Sequence, residues 1–165
     1  MFVTIFLSLV ICAVVTMMMI AAVAFIQDRR FFSSAPKEAQ AVIQDRKEEL
    51  FRGARCLGWV MLVLALLIGV GAVVVAALDG KRCGYGFWQF FVRFLVMATV
   101  YKAYDMIFFD EFLLLKFGFF QYFYPEAEHV LDGKKYGFNL KSQLLKLLII
   151  FPAVSALAAF LCTKL

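Results

Sequence analysis

Residues 2–26, FVTIFLSLVICAVVTMMMIAAVAFI, contain no charged side chain and no proline or glycine. As a helix this stretch is about 38 Å long at 1.5 Å per residue, enough to cross the roughly 30 Å hydrocarbon core of a bilayer. Three further apolar runs follow, at 57–78, 87–109 and 144–161. The chain is 64% hydrophobic with a mean hydropathy of +0.87, whereas a soluble domain is nearer 45–50% apolar. Barrel strands alternate apolar and polar residues over about ten positions, and these runs are apolar on every face. The pattern predicts an all-α integral membrane protein: a four-transmembrane-helix bundle forming one domain over 1–165.

Basic residues set the expected topology, because they stay on the cytoplasmic side. Seven of the 17 lie between the first two runs: Arg29, Arg30, Lys37, Arg46, Lys47, Arg52 and Arg55. With Lys134, Lys135 and Lys141, the odd loops carry ten, against Lys81, Arg82 and Lys164 on the other side. Both termini are expected outside a plasma or inner membrane, with 27–55 and 117–141 cytoplasmic. The first run lacks a preceding positive residue and is too long for a signal-peptide apolar region, so it reads as an uncleaved anchor. Basic charge without a binding motif or aromatic platform argues against nucleic acid as a partner.

Between runs one and two, Ala39, Val42, Ile43, Leu50 and Phe51 recur at helical spacing after Ser33, Ser34 and Pro36. They predict an amphipathic cytoplasmic helix over about 36–52, on the inner leaflet or available to a soluble partner. Apolar character in run three continues through Phe112–Phe123 to Pro125. The expectation is a span to Phe109, then an aromatic interfacial segment with Phe117, Phe119, Phe120, Tyr122, Phe123 and Tyr124, since rings favour the headgroup level.

Charges within membrane helices are costly and take partners. Arg93 lies about 9 Å beyond Phe87 along the helix axis and reads as an anchor that snorkels to the interface. Lys102 and Asp105 share a face and can pair, with the Tyr101 hydroxyl in reach of the carboxylate. Asp105, at about 27 Å, and the following Asp110 and Glu111 fall at the far boundary. Lys141 and Lys146 arrive there on run four, and Arg52 and Arg55 at the foot of run two. Arg93, Lys102, Asp105, Lys141, Lys146, Arg52 and Arg55 are therefore the candidate binding residues, suited to anionic lipid or phosphate. Asp105, Asp110 and Glu111 are the catalytic candidates.

Glu126 and His129 have an i,i+3 spacing found in carboxylate-bridged metal sites. They are the weak metal candidates in a chain for which no metal or cofactor is expected. The four cysteines lack metal-ligand spacing; Cys83 and Cys162 fall on one side and can bridge where that side is oxidising. Small residues at Ala65, Gly69, Ala72 and Ala76, and at Ser155 and Ala159, mark close helix approach within or between chains. Pro152 should kink run four and free a carbonyl near Leu148. No nucleotide-binding loop, HExxH motif or nucleophile elbow is present. The leading expectation is an accessory or assembly bundle, in a homo-oligomer or a complex with another membrane protein. An oligomeric small transporter or channel and a membrane enzyme acting on a lipid or isoprenoid phosphate are the alternatives.

Overall fold

The computed structural model describes residues 2–32, 37–44, 48–131 and 140–164. The described residues are 88% helix, with no strand among them. The first helix, α1 (Phe2–Ile20), widens into a π-helical end at Ala21–Ile26. There Gln27 adopts a left-handed φ of 55° and its N–H reaches the Ala22 carbonyl at 2.9 Å, five residues back. Holding a non-glycine residue there costs about 1–2 kcal/mol.

Among the described residues, three helices are long and apolar enough to cross a membrane: Phe2–Ile26, Ala54–Arg82 and Ser142–Lys164. Helix α3 is Ala54–Arg82, longer at both ends than the apolar run because Arg55, Lys81 and Arg82 are good helix formers. The third apolar run is α4 (Phe87–Tyr104), which passes into a π-helix at Asp105–Lys116. It does not stop at Phe109. Its end is at Gly118, which takes φ 61°, and the Phe117 N–H closes on Phe112 O at 2.8 Å. The last helical stretch is α7 (Leu140–Leu145), a π-turn at Lys146–Ile150, and α8 (Phe151–Lys164). Pro152 explains the widened turn. It brings no N–H to the Leu148 carbonyl and its ring crowds that oxygen, and the Phe151 N–H bonds instead to Lys146 O.

The amphipathic helix expected over 36–52 is much shorter. Among the described residues of this stretch only α2 (Lys37–Val42) is helical; Pro36 and 45–47 lie outside the described residues, and 48–53 form bends and a turn. Two contacts override helical continuation. Ile43 is buried with Tyr124 and Ala127, and Gly53, at φ 91°, donates its N–H to Glu49 Oε2 at 2.8 Å.

Two compact units divide the chain. One comprises Met1–Ala13, Ile68–Met106 and Gly137–Leu165. Its core is Leu7, Ala72, Ala76, Phe90, Phe94, Met97 and Ala159. Here α4 lies along α8, and Ser155 and Ala159 are buried, so this small-residue pair serves packing within the chain. Gly80 is the tightest approach: a Cβ there would overlap the Phe90 ring.

The other unit comprises Val14–Leu67 and Ile107–Tyr136. Two short helices, α5 (Phe119–Phe123) and α6 (Glu128–Leu131), flank a 3-10 turn at Pro125–Ala127. Val23, Ile43, Tyr124 and Ala127 form its core, with Phe119, Phe120 and Phe123 packed against them. Of the aromatic segment, Tyr124 is core, Phe119, Phe120 and Phe123 are partly buried against it, and Phe117 and Tyr122 are exposed. Edge-to-face pairs Phe25–Phe51 and Phe31–Trp59 sit 6.1 and 5.8 Å apart. A Cβ on Gly58 would come within 2.8 Å of Phe25 and Ile26.

Gly80→Ala should lower stability by about 1–3 kcal/mol, the usual cost of overpacking, because Phe90 is fully buried and cannot swing clear. Thermal unfolding in detergent micelles, with Gly71→Ala as the uncrowded control, measures it.

Candidate functional site

The connection from α3 to α4 is short and closed by hydrogen bonds. Gly84, at φ 67°, donates to Lys81 O at 3.0 Å, and Tyr85 N–H reaches back to Gly80 O at 2.9 Å. This is a Schellman ending, in which a glycine takes the left-handed position. Gly86 then caps α4, and Gln89 Oε1 accepts the Gly86 N–H at 2.6 Å. That bond is the half of a capping box that a glycine cap allows. The result is an antiparallel pair of helices with Tyr85 directed back toward α4.

Arg93 is the centre of what this geometry builds. Its side chain is only 2% exposed. One Nη donates to the Ala76 carbonyl of α3 at 2.7 Å. The other lies 2.8 Å from Asp79 Oδ2 and 3.1 Å from the Tyr85 hydroxyl. The guanidinium also stacks over the Tyr85 ring, 4.4 Å from its centroid, an arrangement that planar, weakly hydrated Arg supports better than Lys. Nε is buried without an acceptor. An arginine taken so far from water needs a counter-charge and several acceptors, and Asp79, itself 29% exposed, supplies the charge. Beside this node is a cavity of about 330 Å³ lined by Thr4, Tyr85, Trp88, Gln89, Val92, Arg93 and Val96.

The second buried cation is Lys102, which pairs with Asp105 three residues on, as their spacing predicts. Asp105 marks the α-to-π transition, and its N–H is shared between Lys102 O and Tyr101 O. The Tyr101 ring packs on Phe151 at 6.3 Å. Glu111 pairs with Lys116 at 2.9 Å. That pair is five residues apart, a spacing that π-helical i→i+5 bonding brings to one face.

Of the other candidates, Lys146 belongs to the same unit as Arg93, Lys102 and Asp105, and so does Lys141, whose side chain lies outside the described residues. Arg52, Arg55, Asp110 and Glu111 belong to the other unit. Arg52 is exposed in the turn before α3, and Arg55 is in its first turn. Glu126 and His129 sit on separate short elements, and no group of three His, Cys, Asp or Glu converges among the described residues. Lys134 and Lys135 lie outside them. Cys83 and Cys162 are free thiols.

Sequence reasoning missed Asp79 and Tyr85. The available signal is symmetry about the turn: Ala76 and Arg93 stand equally far from the Gly84–Tyr85 step, so a tight antiparallel connection sets them side by side. Comparison with protein families, curated proteins and solved structures finds no match.

Asp79→Asn should cost roughly 2–4 kcal/mol, short of the 3–5 kcal/mol of a fully enclosed pair because water reaches the carboxylate. The double variant Asp79→Asn/Arg93→Met should lose less than the sum of the single losses. Thermal unfolding of the four proteins of this cycle reads both effects.

Proposed function

We propose that this chain is a multi-pass membrane bundle working as an accessory or assembly subunit beside another membrane protein. Four helical stretches cross: 2–26, 57–78, 87–109 and 144–161. Both termini are outside, and the basic segment 27–55 and the segment 117–141 are cytoplasmic, in a plasma or inner membrane. Membrane lipids, anionic ones at the basic face, complete its surroundings.

The observation that carries this reading is how the buried cations are used. Arg93 is committed to Asp79, Tyr85 and the Ala76 carbonyl, and Lys102 to Asp105. Arg93 held in this way ties α4 to α3, as polar residues do where lipid offers no alternative partner, and the Lys102–Asp105 pair neutralises a buried charge within one helix. Meanwhile α3 exposes Val63, Leu66, Leu67, Val70, Val73 and Val74, a surface suited to lipid or a partner's helix. Transport and catalysis would instead call on these same charges to change partners.

Native mass spectrometry of the protein extracted gently from its own membrane tests the assignment. A stoichiometric complex with a different membrane protein is expected. A homo-oligomer whose ion flux in liposomes disappears with Asp105→Asn would replace it with transport. Turnover of a lipid phosphate stopped by Glu111→Gln would replace it with catalysis. On the accessory reading, Asp105→Asn lowers thermal stability by about 1–3 kcal/mol and leaves assembly with the partner intact.

A further inference from the structure

Where the first helix ends and α3 begins, aromatic rings join the two. Phe25 meets Phe51 and Phe31 meets Trp59, both edge-to-face, and Gly58 lies close against Phe25 and Ile26. All of these residues belong to one compact unit. Two arginines border the joint, since Arg30 precedes Phe31 and Arg52 follows Phe51. The Arg30 side chain is 91% exposed, and Arg52 is exposed as well.

Two of the nearby acids are used by the backbone. Asp28 Oδ1 accepts the Arg30 N–H at 2.8 Å and lies 3.7 Å from Arg30 Nε, an exposed pair of the kind that contributes little. Glu49 Oε2 accepts the Gly53 N–H. Arg29 and Arg55 have interactions within the chain. Arg30 and Arg52 thus offer their guanidinium groups outward, against the exposed Glu48. Trp59 shows what such a surface meets. It is 48% exposed and stands on α3, one of the helices long and apolar enough to cross a membrane, about 7.5 Å along the axis from Ala54. Exposed indole beneath arginine is the order of groups at a leaflet boundary, where rings favour the headgroup level and basic residues attract anionic lipid. A soluble acidic partner would answer the guanidinium groups and leave Trp59 and Phe51 unmet. One phospholipid answers both, because its phosphate and its acyl esters are adjacent.

We propose that this joint is a docking surface for an anionic phospholipid, with the lipid phosphate on Arg30 and Arg52 and its glycerol-ester region against Trp59 and Phe51. Planar guanidinium groups match phosphate oxygens. The proposal rests on the reading of the chain as membrane-inserted, with anionic lipid at its basic face.

Lipid-selective quenching of tryptophan tests it, since the chain has two tryptophans. Trp88→Phe protein, which reports from Trp59, is reconstituted into phosphatidylcholine vesicles. These contain acyl-brominated phosphatidylglycerol or acyl-brominated phosphatidylcholine at matched mole fractions. The expected result is an apparent affinity for the anionic lipid about fivefold above that for phosphatidylcholine. Adding Arg30→Gln and Arg52→Gln together should bring the two lipids within about twofold of each other. Arg30→Lys with Arg52→Lys, which keeps the charge, should retain most of the preference.

Equal quenching of Trp59 by the two lipids overturns the docking surface while leaving insertion intact. A preference that survives the double glutamine substitution overturns the assignment to Arg30 and Arg52. So does a preference of the same size at Trp88, read in Trp59→Phe protein, because net charge alone would then explain it. Quenching absent with either lipid at every fraction overturns membrane insertion and the docking surface with it.

Discussion

A polar group withdrawn from water must find its partners inside the protein, and the Arg93 node is where this chain meets that demand most heavily. The guanidinium decides what its neighbours are. Ala76 has to be small and its carbonyl within reach, Asp79 has to stand one turn nearer the connection, and Tyr85 has to fold back over the charge. The turn is built for this, with Gly84 in a conformation that places Tyr85. Gly80 lets the Phe90 ring lie against α3, so that Arg93, three residues further along α4, comes level with its acceptors.

Hydrophobic transfer contributes little to holding helices together in lipid, where tails are as apolar as leucine. Packing and polar contacts take over. Alanines 72, 76 and 159 and Ser155 are all buried, and each permits close approach. The π-helical stretches add a second device. A π-turn carries an extra residue, which changes the face presented beyond it. At Asp105–Lys116 this coincides with the Lys102–Asp105 and Glu111–Lys116 pairs.

Long elements were legible because uninterrupted apolar runs leave little room for another reading: the first run and its helix coincide at 2–26. Short elements were not. The amphipathic pattern of 36–52 was genuine in period, but Ile43 found a tertiary partner in Tyr124 that local spacing does not encode. The end of the third run was sought at the membrane boundary and at Pro125, whereas Gly118 makes it. Within the candidate site, Lys102–Asp105 was legible because its partners are three residues apart on one helix. Arg93–Asp79 was hidden because its partners sit on two helices and meet only after the turn at Gly84 has formed. The periodicity of a helix apolar all round says nothing about which side Arg93 faces.

The closeness in sequence of Arg93 to its counter-charge also bears on biogenesis. A helix that enters a bilayer alone carries an unpaired arginine at full cost. Asp79 and Arg93 are separated by one tight turn, so they emerge from the ribosome almost together and can neutralise each other as soon as the turn forms. On the proposed four-span reading, the unit of insertion for this part of the chain is the helical hairpin rather than the single helix.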